Sequence, residues 1–150
     1  MVLITGGAWQ GKTEFAKKYL RERAESRCMK KKDFPAQNDR DDIKYSGGLK
    51  IVNGETVQTE ELQRADLVTD MHLWIAKLLR ENKDVYQEIN EMTEQNPEIV
   101  ITVNELGCGV VPIDAFDRNW RETTGRICCL LAQKSTEVYR VTCGIATRIK

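Results

Sequence analysis

Apolar positions along this chain fall into alternating short runs and helical stripes. Residues 2–5 (VLIT) are a β-favouring run that reaches a glycine pair. Residues 12–25 then carry Phe15, Ala16, Tyr19, Leu20 and Arg23 at helical spacing, which predicts strand, loop and helix in that order. Residues 65–69 read as a second core strand. After it Met71, Trp74, Ile75, Leu78 and Leu79 recur at i, i+3, i+4, i+7 and i+8, the stripe of an amphipathic helix. Another helix is predicted over 85–94. Residues 99–103 are continuously apolar, as expected of a strand covered on both faces, and 138–143 read similarly. Between them Phe116, Trp120, Thr124, Ile127 and Leu131 place a helix over 115–133. Strands alternating with helices predict an α/β fold: a mostly parallel sheet flanked by helices, with its ligand crevice beyond the carboxyl ends of the strands.

The stretch 26–61 breaks this pattern. It is polar, with a basic run at 30–32, an acidic one at 39–42 and the pair Gly47-Gly48. Within it 49–52 and 55–58 flank Asn53-Gly54, and an Asn-Gly pair between two β-favouring segments predicts a small β-hairpin over 49–58.

Composition narrows the class. A length of 150 residues suits one domain, 1–150, with one core. Lys plus Arg and Asp plus Glu both total 23, so no bulk charge points to nucleic acid. The longest apolar runs fall well short of the roughly 18 to 20 residues that span a bilayer. Residues 1–7 show neither a basic region nor a long apolar stretch of the secretory kind, so a cytoplasmic location is expected. The cysteines (Cys28, Cys108, Cys128, Cys129, Cys143) are odd in number and include no CxxC pair. They are read as reduced, mostly buried thiols rather than a disulfide framework or a zinc site.

The chemistry begins at residue 6. Gly6, Gly7, Ala8, Trp9, Gln10, Gly11, Lys12 and Thr13 spell GxxxxGK[ST] between a predicted strand and a predicted helix, the context in which that pattern makes a phosphate cradle. Glycines let backbone N–H groups curl around phosphate oxygens, and the new helix adds its positive end. Lys12 neutralises the β and γ phosphates, and the Thr13 hydroxyl can ligand Mg²⁺. A nucleoside triphosphate, ATP or GTP, is therefore the expected co-substrate.

A P-loop also needs an acid at the end of a neighbouring strand. Asp70, after the strand 65–69, is the candidate for placing Mg²⁺; its competing role is to cap the following helix. Glu105, after the strand 99–103, opens toward the same crevice as substrate orienter or general base, or is structural. Arg118, Arg121 and Arg126 share one helix with Glu122. They either clamp a γ-phosphate or form a solvated face of local ion pairs. His72 reads by default as an ordinary helix-start histidine, with a nucleophile as the sharper alternative. Trp9 either stacks on a ligand edge or covers the loop.

Together these residues carry a resemblance. The opening VLITGGAWQGKT, the segment VNELGCGVVP at 103–112, the helix with Arg118, Arg121, Gly125 and Arg126, and the ending VYRVTCGIATRIK resemble the adenosylcobinamide kinase / adenosylcobinamide-phosphate guanylyltransferase family. The resemblance implies a RecA-like P-loop fold and a homo-oligomer, the form such proteins often take. It also implies two transferase reactions of cobalamin biosynthesis: phosphorylation of the aminopropanol hydroxyl of the corrinoid adenosylcobinamide, then transfer of GMP through a histidine. That histidine lies, in the family, between the first helix and the next core strand. Here 26–66 contain no histidine, and His72 does not match the position. Cys128 and Cys129 stand where the family has polar residues. The kinase role implied is Lys12, Asp70, Glu105 and Arg118 or Arg126 acting on phosphate and hydroxyl. The alternatives are a nucleotide-binding regulatory or partner protein, or a P-loop kinase for another small molecule.

Overall fold

The computed structural model describes residues 1–31 and 48–150. Its strands form one six-stranded sheet. Strand β1 (Val2–Gly6) runs into helix α1 (Lys12–Lys31). After β2 (Ile51–Asn53) and the short α2 (Thr59–Leu62) come β3 (Leu67–Thr69), α3 (Met71–Arg80), α4 (Val85–Gln95) and β4 (Val100–Asn104). A 3₁₀ turn (Leu106–Cys108) then leads to α5 (Ala115–Lys134), β5 (Glu137–Thr142) and β6 (Ile145–Arg148). The strand order is β2-β3-β4-β1-β5-β6, parallel throughout except for the final pair β5–β6.

Alternation along the strands divides the apolar side chains between two layers, because successive residues of a strand point to opposite faces. Val2, Ile4, Leu67, Val100 and Val141 pack with Ala16 and Leu20 of α1. Leu3, Val68, Ile101, Val103 and Val138 pack with Trp74, Ile75 and Leu78 of α3, Ile89 and Met92 of α4, and Ile127 and Leu131 of α5. Helices on both faces explain why β1 and β4 are continuously apolar rather than alternating. Among the described residues no helix is long and apolar enough to cross a membrane.

The α/β architecture expected from the sequence is found, and the predicted core strands and helices are present with their ends shifted by a few residues. The hairpin over 49–58 is not. Residues 51–53 pair in parallel with β3, and 55–58 form a turn and coil leading into α2. The Asn-Gly signal has another cause. Asn53 Oδ1 accepts from Glu55 N at 2.8 Å, a local Asx turn. Gly54 N donates to Thr69 O at 2.8 Å, and a Cβ on Gly54 would sit 2.4 Å from Asp70 O. The glycine is there for close backbone approach.

The true hairpin is β5–β6, where Cys143 (φ 51°) and Gly144 (φ 80°) form a two-residue turn of the left-handed kind. The thiols also differ from expectation. Cys108, Cys129 and Cys143 are exposed and Cys128 is half-buried; all four are free. The side chains of Cys28 and of the basic run at 30–32, and the stretch 32–47 with its acidic run, lie outside the described residues.

Candidate functional site

The candidate site is built from the start of α1, from residues at or just after the carboxyl ends of β1, β2, β3 and β4, and from Arg140 of β5. At the end of β1 the chain turns at Gly6, whose φ of 151° and whose missing side chain are both required: a Cβ there would lie 2.3 Å from Val141 O. Gly11 (φ 86°) is the second left-handed glycine of the loop. The loop is fastened to the β5–β6 turn by Gln10. Its backbone carbonyl accepts from Gly144 N at 3.1 Å, and its side-chain oxygen accepts from Cys143 N. Trp9 stands at the tip with φ 61° and 101% exposure, so it does not cover the loop.

Lys12 opens α1 and is only 6% exposed. Its Nζ donates to Gly7 O at 2.6 Å, folding the side chain over the loop it belongs to. Burial pushes its pKa below the ordinary lysine value, while the carboxylates of Asp70 and Glu105 act in the opposite direction. Lys12, Asp70 and Glu105 follow the carboxyl ends of the neighbouring strands β1, β3 and β4. A largely desolvated ammonium of this kind is best satisfied by anionic oxygens. Thr13 follows at the first turn of α1.

Asp70 ends β3 in the left-handed region (φ 53°, ψ 43°), and its N–H donates to Thr102 Oγ1 of β4 at 3.2 Å. Its carboxylate makes no capping bond to α3. Instead Asp70 Oδ2 accepts from Asn53 Nδ2 at 3.3 Å. The described residues hold no cluster of three or more His, Cys, Asp or Glu suited to a metal. A hydroxyl and one uncapped carboxylate match the donor set of Mg²⁺, which takes one or two protein oxygens and completes its shell with phosphate and water. Thr13 and Asp70 thus fit a metal–nucleotide complex.

Glu105 follows β4, and its N–H donates to Gly6 O at 3.0 Å, tying it to the start of the P-loop. Its carboxylate is held by Arg140, with Nε to Oε1 at 3.0 Å and Nη2 to Oε2 at 2.8 Å. Thr5 Oγ1 donates to Oε1 at 3.3 Å. The Arg140 hydrogen bonds are the main reason the Glu105 pKa lies below the ordinary glutamate value, against an opposing desolvation effect.

The arginines of α5 serve other purposes. Arg118 Nη1 donates to the carbonyls of Pro112 and Ile113, and Arg121 donates to those of Gly107, Gly109 and Val110. Both brace the loop that follows β4. Arg126 pairs with Glu122 at 2.6 Å on an exposed face. His72, 5% exposed, stacks on Trp120 with ring centroids 6.1 Å apart, and its carbonyl accepts from Trp120 Nε1 at 2.7 Å. Its Nε2 lies 2.9 Å from Asn104 Nδ2, while its Nδ1 has no partner among the described residues. Burial lowers its pKa, against an opposing effect of the Asp70 carboxylate.

Arg140 and Asn53 were missed in the sequence. Arg140 is an exposed residue of β5, and only the register that pairs it with Thr5 reveals the carboxylate beside it.

Comparison with known proteins identifies a family. The sequence model described as "Cobinamide kinase / cobinamide phosphate guanyltransferase" matches residues 49–149. The bifunctional adenosylcobalamin biosynthesis proteins CobU of Escherichia coli (strain K12) and Salmonella typhimurium (strain LT2) are each 38% identical to the chain over 53 residues. That match covers 35% of this chain and spans 29% of the length of each relative.

Proposed function

The chain belongs to the cobinamide kinase / cobinamide phosphate guanyltransferase family, and from that premise we propose that it is a nucleotide-dependent kinase of cobalamin biosynthesis, phosphorylating the aminopropanol hydroxyl of adenosylcobinamide. The observation that carries the reading is that Lys12, Asp70 and Glu105 follow the carboxyl ends of three neighbouring strands, β1, β3 and β4, beside a P-loop.

The loop from Gly6 to Thr13 and the positive end of α1 hold the triphosphate, with Lys12 exchanging the Gly7 carbonyl for phosphate oxygens. Thr13 and Asp70 would hold Mg²⁺, which when bound neutralises charge between the β and γ phosphates. The acceptor hydroxyl oxygen bonds to the γ-phosphorus as the bond from that phosphorus to the β–γ bridging oxygen breaks; the nucleoside diphosphate leaves, and the hydroxyl proton passes to water as the new bond completes. The transition state of such transfers is loose, so the hydroxyl needs alignment more than early deprotonation. An ionised Glu105 supplies alignment as a hydrogen-bond acceptor, and its lowered pKa suits it poorly to take up a proton as general base. Arg118 and Arg121 contribute by shaping the loop after β4. GMP transfer lacks its histidine in 26–66, and His72, buried and stacked on Trp120, is a poor substitute.

Purified protein incubated with Mg²⁺, labelled ATP or GTP, and adenosylcobinamide should yield phosphorylated corrinoid and no protein-bound GMP. Lys12→Ala should reduce the transfer about a hundredfold or more. Nucleotide binding with neither product would favour a regulatory nucleotide-binding protein, and phosphorylation of other small molecules alone would favour an unrelated kinase.

A further inference from the structure

The Glu105 carboxylate is saturated in an uneven way. A carboxylate offers about four lone-pair directions. Oε1 takes Arg140 Nε at 3.0 Å and Thr5 Oγ1 at 3.3 Å; Oε2 takes Arg140 Nη2 at 2.8 Å and Cys108 Sγ at 3.8 Å. The two Arg140 contacts are good, the Thr5 hydroxyl is long for an O–H···O bond, and Cys108 offers a thiol, a weak donor at long range. The contact that an incoming hydroxyl displaces most cheaply is the thiol contact from Cys108.

The three groups come from neighbouring strands in register. Thr5 of β1 pairs across the sheet with Arg140 of β5 on one side and with Val103 of β4, two residues before Glu105, on the other. Arg140 presents a planar fork that fixes both oxygens at once, a geometry lysine does not reproduce. With side chains 55% and 22% exposed, this pair contributes little to folding. Its worth lies in the orientation it imposes.

We infer that Arg140 is a positioning residue for phosphoryl transfer: its guanidinium holds the Glu105 carboxylate in one plane so that the acceptor hydroxyl docks on Oε2, in the place taken by Cys108 Sγ. This rests on the reading of Glu105 as the group that receives the acceptor hydroxyl. The charged and titratable groups that act with Glu105 are Arg140 from β5, Lys12 from the start of α1, Cys108 from the 3₁₀ turn and Cys128 from α5. Of these Arg140 alone makes a charged hydrogen bond to it.

The test combines ¹³C NMR titration of the Glu105 carboxyl in the free chain with pH profiles of phosphoryl transfer to adenosylcobinamide, for wild type, Arg140→Leu and Arg140→Lys. In Arg140→Leu the Glu105 titration should move up by about one pH unit. The acid limb of kcat should follow it, and kcat should fall about tenfold while the KM for nucleotide stays within about twofold. Arg140→Lys should restore most of the titration but only part of kcat, because it returns the charge without the fork. An unmoved Glu105 titration in Arg140→Leu would overturn the hold on the carboxylate. A shifted titration with unchanged kcat would overturn the positioning role. A wild-type chain that transfers no phosphoryl group overturns the docking point along with the kinase reading, and the titration then decides the Arg140 contact separately.

Discussion

At the scale of single residues the site depends on backbone conformations that side-chain chemistry alone does not announce. Asp70 sits at φ 53°, where a non-glycine residue is held at a cost of about 1 kcal/mol or more unless its side chain is short and polar. Asparagine tolerates this region and alanine does not, so two substitutions separate charge from backbone. Asp70→Asn should stay near wild type in urea denaturation and lose phosphoryl transfer about a hundredfold. Asp70→Ala should lose the transfer and also about 1 kcal/mol of stability. Equal stability of the two variants would remove the conformational argument. Lys12 and Asp70 were legible in the sequence because motif and strand end coincide there. Arg140 was not, since its partner Glu105 is distant in sequence and adjacent only across the sheet.

Among the elements, the instructive difference is the segment around Asn53-Gly54. The pair satisfied the local rule for a tight hairpin, and the rule is sound where two antiparallel strands need left-handed residues between them. Here β2 has a parallel partner in β3, so the chain must leave the sheet rather than return, and the same two residues do different work. Asn53 reaches Thr69 Oγ1 and Asp70 Oδ2, each at 3.3 Å, and Gly54 lets the backbone approach Asp70. Gly54→Ala would set a Cβ against the Asp70 carbonyl at 2.4 Å, a backbone contact that no side-chain rotation relieves. It should cost about 1–3 kcal/mol in urea denaturation, of the order seen for overpacking. It should also impair transfer more than it impairs folding, because the strain falls on Asp70. Loss of stability with activity intact would show that the strain relaxes away from the site. The hairpin that does exist, β5–β6, carries Cys143-Gly144 at its tip and fastens the P-loop through Gln10.

For the whole molecule, the order β2-β3-β4-β1-β5-β6 sets β1 centrally and lines the ends of β3, β4, β1 and β5 along one edge. Binding at that edge should stabilise the entire chain by linkage. At a nucleotide concentration a hundredfold above Kd, Mg²⁺-nucleotide should add about 2.7 kcal/mol to wild type, read as a rise in Tm, and much less to Lys12→Ala. An equal rise in both would place the bound nucleotide away from the P-loop. The hydrophobic pattern by itself determined the alternation of strands and helices and the parallel α/β class, and the contiguous residues 6–13 determined the GxxxxGK[ST] pattern between β1 and α1. These depend on local periodicity and on contiguous residues that act together. Tertiary structure alone decided that Asn53 serves Asp70, that Arg140 serves Glu105, that Arg118 and Arg121 brace a loop, and that the P-loop leans on the C-terminal hairpin. Each of those contacts joins residues that strand register or helix packing brings together, and register is a property of paired strands that no single segment contains.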